Sequence, residues 1–429
     1  MANKRYEQCL SAMYGLRRFG IKLGLESITA VLAYLGKPQD DYRIIHIAGT
    51  NGKGSVAAML STILHAAGYR VGCYTSPHLE HFNERICINN QAIGNDEIMS
   101  AYEKVQQAPQ PERGLTFFEF TTAMALYTFS RRKVDWAVIE TGMGGRLDAT
   151  NAVCPQLTII TNISLEHKSY LGTTLAAIAG EKAGIIKANT PLITGVSQPS
   201  ARKVILQQAA ERRAPAYLKG RDFRCRRLGE KRLSYFGMHH TLRNITLGLS
   251  GRHQIDNAAL ALAACETLSQ SGKAELSSDT IAKGLKLTKW PGRLEVASER
   301  PYVILDGAHN LMAARKLAQY LKDEFRGKKI TLVVGVLDDK PCDSILRDLT
   351  ALCQKVVVTQ PVIDRAIPAN DLAKVAKKFS KRVDIIPDVA MAVDSVLKSS
   401  EDDDVVCVAG SLYVVGEAKT ALKKLALRT

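Results

Sequence analysis

Short apolar runs alternate with segments of helical hydrophobic spacing along most of the chain. The first clear run, IIHIA at 44–48, predicts a buried strand. A Gly-rich turn follows, and apolar side chains then recur at helical spacing from Val56 to Leu64, with Gly68 well placed to end that helix. This alternation is typical of α/β proteins with a mainly parallel sheet.

The same pattern continues and then restarts with a shorter period. A second helix is predicted at 174–187, and further strands are predicted at 136–140, 157–161, 192–195, 302–305, 330–334, 355–359, 383–386 and 405–409. The series that begins at residue 302 predicts a second, smaller Rossmann-like unit of about 130 residues. The best linker between the two units is the segment 288–301, which has two prolines and mixed charge.

Composition excludes several classes of protein. The 429 residues are 46% apolar and 23% charged, which is ordinary for a globular protein and argues against disorder or fibres. No apolar run approaches the ~18 residues that span a bilayer, and the N-terminus lacks the apolar stretch of a secretory signal. Nine cysteines without a C-x-x-C pair argue against both a disulfide framework and a structural zinc site. We therefore expect a cytoplasmic protein that does not bind membranes.

Positive charge is concentrated in one segment. The net charge is +16, and residues 202–243 contain twelve Lys/Arg against three Asp/Glu. Aromatic residues are few in this segment, and no nucleic-acid motif accompanies it, so a solvated basic face is the simplest interpretation. Attraction of polyanionic small molecules is the alternative; neutralising Arg221, Arg224, Arg226 and Arg227 would then raise the KM for long-tailed anionic substrates.

The strongest local motif is GTNGKGS at 49–55, between a predicted strand and a predicted helix. Glycines allow successive backbone N–H groups to point into one concavity that holds phosphate oxygens, and a lysine adds positive charge for the β- and γ-phosphates. The match to G-x-x-x-x-G-K-[ST] is imperfect, and a merely tight turn is the alternative. The predicted nucleotide-binding residues are Gly49, Thr50, Asn51, Gly52, Lys53, Gly54 and Ser55.

Eleven stretches resemble, in order and rough spacing, the folylpolyglutamate synthase/dihydrofolate synthase family, a branch of the Mur-ligase superfamily of ATP-dependent amide-forming ligases. They are IAGTNGKGS (47–55), TSPHL (75–79), NERI (83–86), FFEFTTAMA (117–125), ETGMGGRLDATN (140–151), EHKSYLG (166–172), GEKAGIIK (180–187), GRHQIDNAALALAA (251–264), WPGRLE (290–295), DGAHN (306–310) and GSLYVVGE (410–417). One such motif would be weak support, but eleven in order are specific.

The resemblance implies a fold and a reaction. The expected fold is a P-loop parallel-sheet ATPase domain at 1–287, a linker at 288–291 and a smaller Rossmann-like α/β domain at 292–429 that closes over the nucleotide. ATP would phosphorylate a pterin- or folate-linked carboxylate, and L-glutamate would displace the phosphate. Such phosphoryl transfer between anions needs cations, here Mg²⁺ at two sites.

The resemblance also implies a role for individual residues. Ser76, Glu140 and His167 would bind metal, and Lys53, Lys182 and His309 would be catalytic, with Lys182 carbamylated. Nucleotide contacts would come from Asn257, Arg293 and Asp306, and substrate contacts from Arg85, Thr116, Phe118, Asp148 and Ala149. The chain departs from the family at Glu166, where the family usually has Asp.

Ordinary structural roles remain as alternatives for several of these residues. Glu140 could cap a loop and His167 could be a buried, hydrogen-bonded histidine. Lys182 could form a salt bridge to Glu181 or another acid, Phe118 could belong to the core, and Arg293 could be structural.

Two other functions compete with the folate ligase. One is a ligase for UDP-muramoyl substrates, against which stand the motifs FFEFTTAMA and RLDATN. The other is a P-loop protein that binds nucleic acid. We expect neither nucleic acid nor a membrane as partner, and we expect a monomer. Whether dihydropteroate, folates or both accept glutamate is open, with a bifunctional enzyme favoured.

Overall fold

The computed structural model describes residues 2–16, 20, 22, 24–109 and 113–426. These form two compact units. The first unit comprises Met1–Gly248 and Gln254–Lys289, and the second unit comprises Leu249–His253 and Trp290–Thr429. The hydrophobic pattern did not indicate that the short segment Leu249–His253 joins the second unit.

The first unit contains ten α-helices and eleven strands within the described residues, and one of these helices (α9) starts in the segment that belongs to the second unit. The helices are α1 (Ala2–Gly15), α2 (Glu26–Tyr34), α3 (Lys53–Ala66), α4 (Asn95–Gln106), α5 (Phe117–Arg131), α6 (Lys168–Leu171), α7 (Leu175–Ala183), α8 (Pro199–Glu211), α9 (Arg252–Gln270) and α10 (Ser278–Leu287). The strands are β1 (Arg43–Ala48), β2 (Val71–Tyr74), β3 (Ile86–Ile88), β4 (Gln91–Ala92), β5 (Trp136–Glu140), β6 (Leu157–Ile160), β7 (Leu192–Thr194), β8 (Ala216–Leu218), β9 (Arg224–Arg227), β10 (Arg232–Phe236) and β11 (Thr241–Thr246).

Eight of these strands form one twisted sheet in the order β4-β3-β2-β5-β1-β6-β7-β8. The pairs from β2 to β8 are parallel, and only β3 and β4 add antiparallel edges. Strand β1 is central, and its residues after Arg43 are all buried. A parallel sheet covered on both faces explains why its strands read as continuous apolar runs in the sequence. The carboxyl ends of β1, β2, β5 and β6 therefore meet at one edge.

The remaining strands, β9 to β11, form a separate antiparallel sheet in the order β11-β10-β9. Leu233 and Tyr235 on β10 are buried on its inner side. The Tyr235 hydroxyl donates to Glu266 on α9 at 2.7 Å, and Glu266 also accepts the backbone N–H groups of 238–240 at 2.6–3.0 Å. One buried carboxylate thus ties the β10–β11 turn to α9. The sequence pattern missed this sheet because exposed arginines interrupt its apolar alternation.

Replacing Glu266 with glutamine should destabilise the first unit in a pH-dependent way. Burial raises the pKa of Glu266, but the hydrogen bonds from Tyr235 and the three N–H groups lower it overall. Because the folded pKa is below the unfolded one, this stabilisation is present above the unfolded value and is lost as pH falls through the folded value. We expect Glu266→Gln to lower the free energy of unfolding by about 2 kcal/mol at pH 7.

Urea unfolding at pH 7 and at pH 3.5 tests this. The deficit of the variant should shrink at the lower pH, because Glu266 then binds a proton more readily in the unfolded chain than in the folded one. An equal deficit at both pH values would contradict the role of the charge. Glu401→Gln, which removes an exposed carboxylate paired with Lys329, is the control and should change stability little at either pH.

The second unit is a smaller α/β layer structure. Its elements are β12 (Glu295–Glu299), β13 (Tyr302–Leu305), α11 (Leu311–Glu324), β14 (Ile330–Val334), α12 (Cys342–Thr350), β15 (Lys355–Val358), α13 (Ala369–Ala376), β16 (Val383–Ile385), α14 (Val389–Lys398), β17 (Val405–Ala409) and α15 (Leu412–Ala426). The strand order is β12-β13-β17-β14-β15-β16, and every pair except β12–β13 is parallel.

The predicted α/β class is confirmed, but part of the predicted linker is wrong. Residues Glu295–Glu299 within 288–301 form the antiparallel edge strand β12, which pairs with β13. Its side chains are mostly exposed, so it carries no apolar alternation that a sequence pattern could detect. Helix α7 is also shorter than the predicted 174–187. Among the described residues, no helix has both the length and the apolar character needed to cross a membrane.

Candidate active site

The glycine-rich loop lies at the centre of the first unit's sheet, between β1 and the start of α3. Gly52 has φ +86° and Gly49 has φ +145°, backbone conformations that favour glycine. A side chain at Gly49 would meet Thr161, and one at Gly52 would meet the amide of Asn257. The loop therefore needs both glycines, for its conformation and for the close approach of its neighbours.

Residues that follow β6 fix this loop from the adjacent strand. The Thr50 N–H donates to the Asn162 carbonyl at 2.9 Å, and the Asn51 N–H donates to the Asn162 side chain at 3.0 Å. The hydroxyl of Thr161 and the amide of Asn162 both donate to the Asn51 carbonyl, at 2.7 and 2.6 Å. The loop is thus preorganised by the chain itself, with the Asn51 carbonyl bound by the residues that follow β6.

Lys53 begins α3 and lies over the loop. Its ammonium donates to the Gly49 carbonyl at 2.9 Å and to the Thr50 carbonyl at 3.2 Å, and it lies 3.9 Å from a carboxylate oxygen of Glu140. Gly54 and Ser55 are in the first turn of α3, where Ser55 is buried. The start of a helix and a lysine at one concavity make an anion site.

Glu140 ends β5, and Ser76 follows β2, the strand that pairs with β5. The Ser76 N–H donates to the Glu140 carboxylate at 3.3 Å, so the structure brings these two predicted ligands together with Lys53. His167 is half-buried and has left-handed backbone geometry directly before α6. No group of three or more His, Cys, Asp or Glu side chains in the described ranges could hold a metal ion alone. A hydroxyl and a carboxylate nevertheless fit Mg²⁺, which usually keeps water and phosphate oxygens as its other ligands.

Lys182 on α7 is buried and reaches the same loop. Its ammonium donates to the Gly49 carbonyl at 3.0 Å and to Glu166 at 2.7 Å. Burial lowers the pKa of Lys182, which the charge of Glu166 opposes; burial raises the pKa of Glu166, but Lys182 and Lys53 lower it to about 2. The acid that pairs with Lys182 is therefore Glu166, whereas Glu181 pairs with Arg146 at 2.8 Å.

Asp148 anchors the loop that follows β5. Its buried carboxylate accepts hydrogen bonds from the Met143 N–H at 2.8 Å and from the Thr150 N–H and hydroxyl at 3.0 and 2.5 Å. The Thr150 hydroxyl also contacts His46 Nε2 at 2.8 Å, deep in β1. Burial raises the pKa of Asp148 and these hydrogen bonds lower it. Most of the accepting capacity of Asp148 is used within the loop, and the buried Ala149 follows it.

Thr116 is the N-cap of α5 rather than an open hydroxyl. It accepts from the Glu119 N–H and donates its hydroxyl to the Glu119 carboxylate at 2.8 Å, and Arg113 binds the same carboxylate with two nitrogens. Phe118, in the first turn of α5, is half-buried, and its ring occupies the space beside Gly142 in the loop after β5. The alternative that Phe118 belongs to the hydrophobic core is therefore only partly confirmed.

Arg85 is buried among aromatic rings, and its carbonyl accepts the N–H of Thr75, the residue before Ser76, at 3.1 Å. Its Nε donates to His78 Nδ1 at 2.8 Å, and its guanidinium carbon lies 5.2 Å from the ring centre of Phe117. Because His78 Nδ1 accepts this hydrogen bond, its proton is placed on Nε2. Tyr14 stacks on Phe117 with ring centres 5.8 Å apart. These residues form a flat-walled, cationic corner of the first unit.

In the second unit, three predicted residues meet at the end of β13. Asp306 is buried and accepts the N–H groups of Leu294 and Ala308, each at 2.9 Å. Burial raises the pKa of Asp306, and the charge of Arg293 and these N–H groups lower it. The guanidinium of Arg293 lies against Gly307, and His309 Nδ1 donates to the Gly307 carbonyl at 2.7 Å. In a neutral His309 the proton is then on Nδ1, and Nε2 is the ring nitrogen that can accept a hydrogen bond.

Comparison with known proteins agrees with these features. Residues 47–265 match the Mur ligase middle domain, and residues 292–412 match the Mur ligase glutamate ligase domain. The dihydrofolate synthase/folylpolyglutamate synthase of Bacillus subtilis is 37% identical over 97% of this chain and 99% of its own. The chain belongs to the dihydrofolate synthase/folylpolyglutamate synthase family. The family resemblance stated from the motifs is therefore confirmed.

Solved structures of this family have the same fold. Escherichia coli FolC in complex with DHPP and ADP has a TM-score of 0.89 and 31% identity, with coverage of 98% of both chains. The bifunctional folylpolyglutamate synthase/dihydrofolate synthase of Yersinia pestis, complexed with AMPPNP and Mn ion, has a TM-score of 0.88 and 31% identity, covering 97% of this chain and 98% of its own.

The motifs did not indicate several residues that organise the glycine loop and the loop after β5. Thr161 and Asn162 fix the glycine loop, and His46 and Thr150 support Asp148, but the motifs assigned no role to any of the four. A polar residue directly after a buried parallel strand is the signal that could have found Thr161 and Asn162, since β6 neighbours β1.

Proposed function

We propose that this protein is an ATP-dependent ligase that joins L-glutamate to dihydropteroate and to reduced folates through an acyl phosphate. The observation that carries the proposal is the convergence of Lys53, Glu140 and Ser76 on a preorganised glycine loop at the carboxyl edge of a parallel sheet. Homologues named for both reactions and related structures with bound nucleotide support it.

The chemistry follows from the charges at this edge. A carboxylate is a poor acylating agent because oxide is a poor leaving group, so the γ-phosphoryl group of ATP is first transferred to it. The glycine loop and the start of α3 would hold the phosphates, while Lys53 stabilises negative charge that develops during transfer. The amino group of glutamate then attacks the acyl carbon, and inorganic phosphate leaves with one oxygen of the original acid.

We further propose that Ser76 and Glu140, together with His167, hold divalent metal. A bound ion would neutralise negative charge on the phosphates during phosphoryl transfer. Glu140 faces Lys53 at 3.9 Å and accepts the Ser76 N–H, so these groups are directed to one place. In the second unit, Arg293, Asp306 and His309 are proposed to contact the nucleotide and its transferred phosphoryl group, as Asn257 is in the first.

The proposed substrate corner of the first unit has three parts. Arg85 would bind a carboxylate of the substrate. Phe118 and the Asp148–Ala149 loop would border the pterin ring, which needs a flat wall and polar acceptors. The hydrogen bonds of Thr116 and Asp148 make them supports of this wall, and their direct contacts with a pterin remain proposals.

Carbamylation of Lys182 is a separate proposal that rests on the family resemblance. CO₂ would add to the neutral amine with loss of a proton, which turns a donor to Gly49 and Glu166 into an acceptor. The carbamate and the Lys182–Glu166 salt bridge are therefore mutually exclusive. Protein equilibrated with ¹³C-bicarbonate should show a carbamate carbon signal by NMR that Lys182→Arg lacks. An identical spectrum for both proteins would contradict the modification and leave the salt bridge as the state of Lys182.

The substrate assignment is tested by ADP release in the presence of L-glutamate. Dihydropteroate, monoglutamyl tetrahydrofolate and a UDP-muramoyl acceptor are assayed separately, with glutamate omitted as the control. We expect glutamate-dependent ADP release with the first two only. Turnover with the UDP-linked acceptor alone, or with none of the three, would contradict the proposal.

We propose that the enzyme works as a cytoplasmic monomer without nucleic acid.

A further inference from the structure

The turn that carries Arg293 is fixed on both sides of this residue. The carbonyl of Gly292 accepts the N–H of Gly307 at 2.8 Å, and the N–H of Leu294 donates to the Asp306 carboxylate at 2.9 Å. These two groups belong to the two peptide planes that flank the Arg293 α-carbon. Because peptide planes are rigid, fixing both of them sets the direction in which the Arg293 side chain leaves the backbone.

The backbone of this turn needs support from its surroundings. Leu294 has φ +46°, in the left-handed region that leucine rarely adopts, and its side chain is buried in the hydrophobic core of the second unit. Such a conformation persists only where the neighbouring contacts determine it. The contacts of the turn therefore decide where Arg293 points.

Glu295, the first residue of β12, provides a further contact. One oxygen of its carboxylate accepts the Gly292 N–H at 2.8 Å, and the other accepts the ammonium of Lys419 on α15 at 2.6 Å. Glu295 thus connects the helix to the residue before Arg293. The family resemblance implied no role for Glu295, although it ends the stretch WPGRLE, and Lys419 lies outside all eleven motifs.

Helix α15 lies against the turn at a second point. A side chain at Gly307 would meet both the guanidinium of Arg293 and the side chain of Leu412, so these two groups border the same glycine. Leu412 and Lys419 are seven positions apart, which is about two helical turns and places both on one face of the helix. One face of α15 therefore supports the Arg293 turn at two points.

The Lys419–Glu295 pair differs from an ordinary surface ion pair. Its side chains are only 16% and 24% exposed, and its partners are 124 positions apart in the chain. In contrast, Lys374 and Asp371 belong to one helix, and their side chains are 77% and 57% exposed. Exposed pairs of that kind contribute little. A half-buried carboxylate that loses its cation is costly to keep in place, so Glu295 depends on Lys419 to remain at the turn.

We propose that Lys419 and Glu295 are positioning residues that hold Arg293 in the orientation in which it contacts the nucleotide. This rests on the proposed function, which gives Arg293 that contact. An arginine stabilises developing charge best when its guanidinium is already in place, because reorientation during the reaction costs free energy. The hydrogen bond from Arg293 Nη1 to the Gly292 carbonyl is long, at 3.4 Å, so the direction set by the backbone matters more.

The first test replaces Lys419 with methionine, which keeps a long side chain and removes its charge. We expect kcat/KM for ATP to fall about tenfold, since a misplacement of about 1 Å can cost on the order of 100-fold in rate. The KM for ATP should rise at least threefold. The KM for monoglutamyl tetrahydrofolate, whose proposed site is in the first unit, should change less than twofold. Lys419→Arg keeps the pair with Glu295 and should stay within threefold of the wild type.

Lys424→Met is the matched control, because Lys424 is an exposed lysine on the same helix. It should leave all of these constants within twofold of the wild type. An unchanged kcat/KM for ATP in Lys419→Met would overturn the proposal. An equal rise in the KM values for ATP and for tetrahydrofolate would also overturn it, because a positioned Arg293 affects the nucleotide alone.

A double-mutant cycle tests whether Lys419 acts through Arg293. Arg293→Ala should lower kcat/KM for ATP at least ~10-fold, and adding Lys419→Met to this variant should change it less than twofold. A pair that only joins α15 to β12, or a Lys419 that contacts substrate directly, predicts the same loss in both backgrounds. That result would overturn the positioning role. Partial unfolding would likewise lower the rate in both backgrounds, so the cycle also decides the question for a destabilised variant.

These outcomes are distinct from failure of the proposed function. Absence of glutamate-dependent ADP release by the wild type refutes the proposed function itself. Normal turnover by the wild type, together with equal losses from Lys419→Met in both backgrounds, overturns only the positioning role. A wild-type rate in Arg293→Ala would remove the role of Arg293 and, with it, that of Lys419 and Glu295.

Discussion

Replacing Lys53 with alanine is expected to lower kcat for glutamate-dependent ADP release by at least ~100-fold, because the variant loses a preorganised charge at the transferring phosphoryl group. The ammonium is held by the Gly49 and Thr50 carbonyls and lies 3.9 Å from Glu140, so little reorganisation is needed when phosphate enters. Initial rates at saturating ATP, glutamate and acceptor measure this effect.

Lys374→Ala is the matched control for Lys53. Lys374 is an exposed lysine of the second unit, paired only at the surface with Asp371, and its loss should leave kcat within twofold of the wild type. Thermal unfolding of Lys53→Ala should remain within a few degrees of the wild type. A rate for Lys53→Ala above one tenth of the wild-type rate would refute the assigned role of Lys53.

Glu140→Ala should also lower kcat by at least ~100-fold, and Mg²⁺ titration should reveal the reason. The carboxylate accepts the Ser76 N–H and faces Lys53, so removing it takes away a hard oxygen ligand at the place where phosphate oxygens are proposed to arrive. The Mg²⁺ concentration at half-maximal rate should rise at least tenfold in this variant.

Glu140→Gln distinguishes metal binding from loop support. The amide oxygen can still accept the Ser76 N–H, so a residue that only supports the loop would keep most of its activity as glutamine. If Glu140 binds metal, Glu140→Gln should be nearly as impaired as Glu140→Ala. Recovery of the wild-type rate in Glu140→Gln would assign Glu140 to loop support.

The apolar pattern predicted the central strands well because the strands of a parallel sheet that is buried on both faces have continuous apolar sequences. The bounds of β5 and β17 agree with the predicted 136–140 and 405–409. The edge strand β12 and the sheet β9 to β11 were missed, since their exposed faces carry charged residues. Strand register, which no local pattern contains, decides which arginines share a face.

The candidate site could be located from sequence to the extent that its residues follow strands. Glu140, Ser76 and the glycine loop were brought together as the order of motifs suggested. The hydrogen-bond partners of these side chains could not be predicted from the sequence. That Thr116 caps α5, that Asp148 is engaged by its own loop and that Lys182 pairs with Glu166 depend on side-chain positions separated by tertiary folding.

The transfer of oxygen from the acceptor acid to phosphate tests the central claim most directly. The reacting carboxylate of dihydropteroate or tetrahydrofolate is enriched in ¹⁸O. After ligation of L-glutamate, the inorganic phosphate is analysed by mass spectrometry. An acyl phosphate formed at the glycine loop predicts one ¹⁸O atom per phosphate released at full enrichment. Phosphate without label, alongside normal formation of the glutamyl product, would contradict the account.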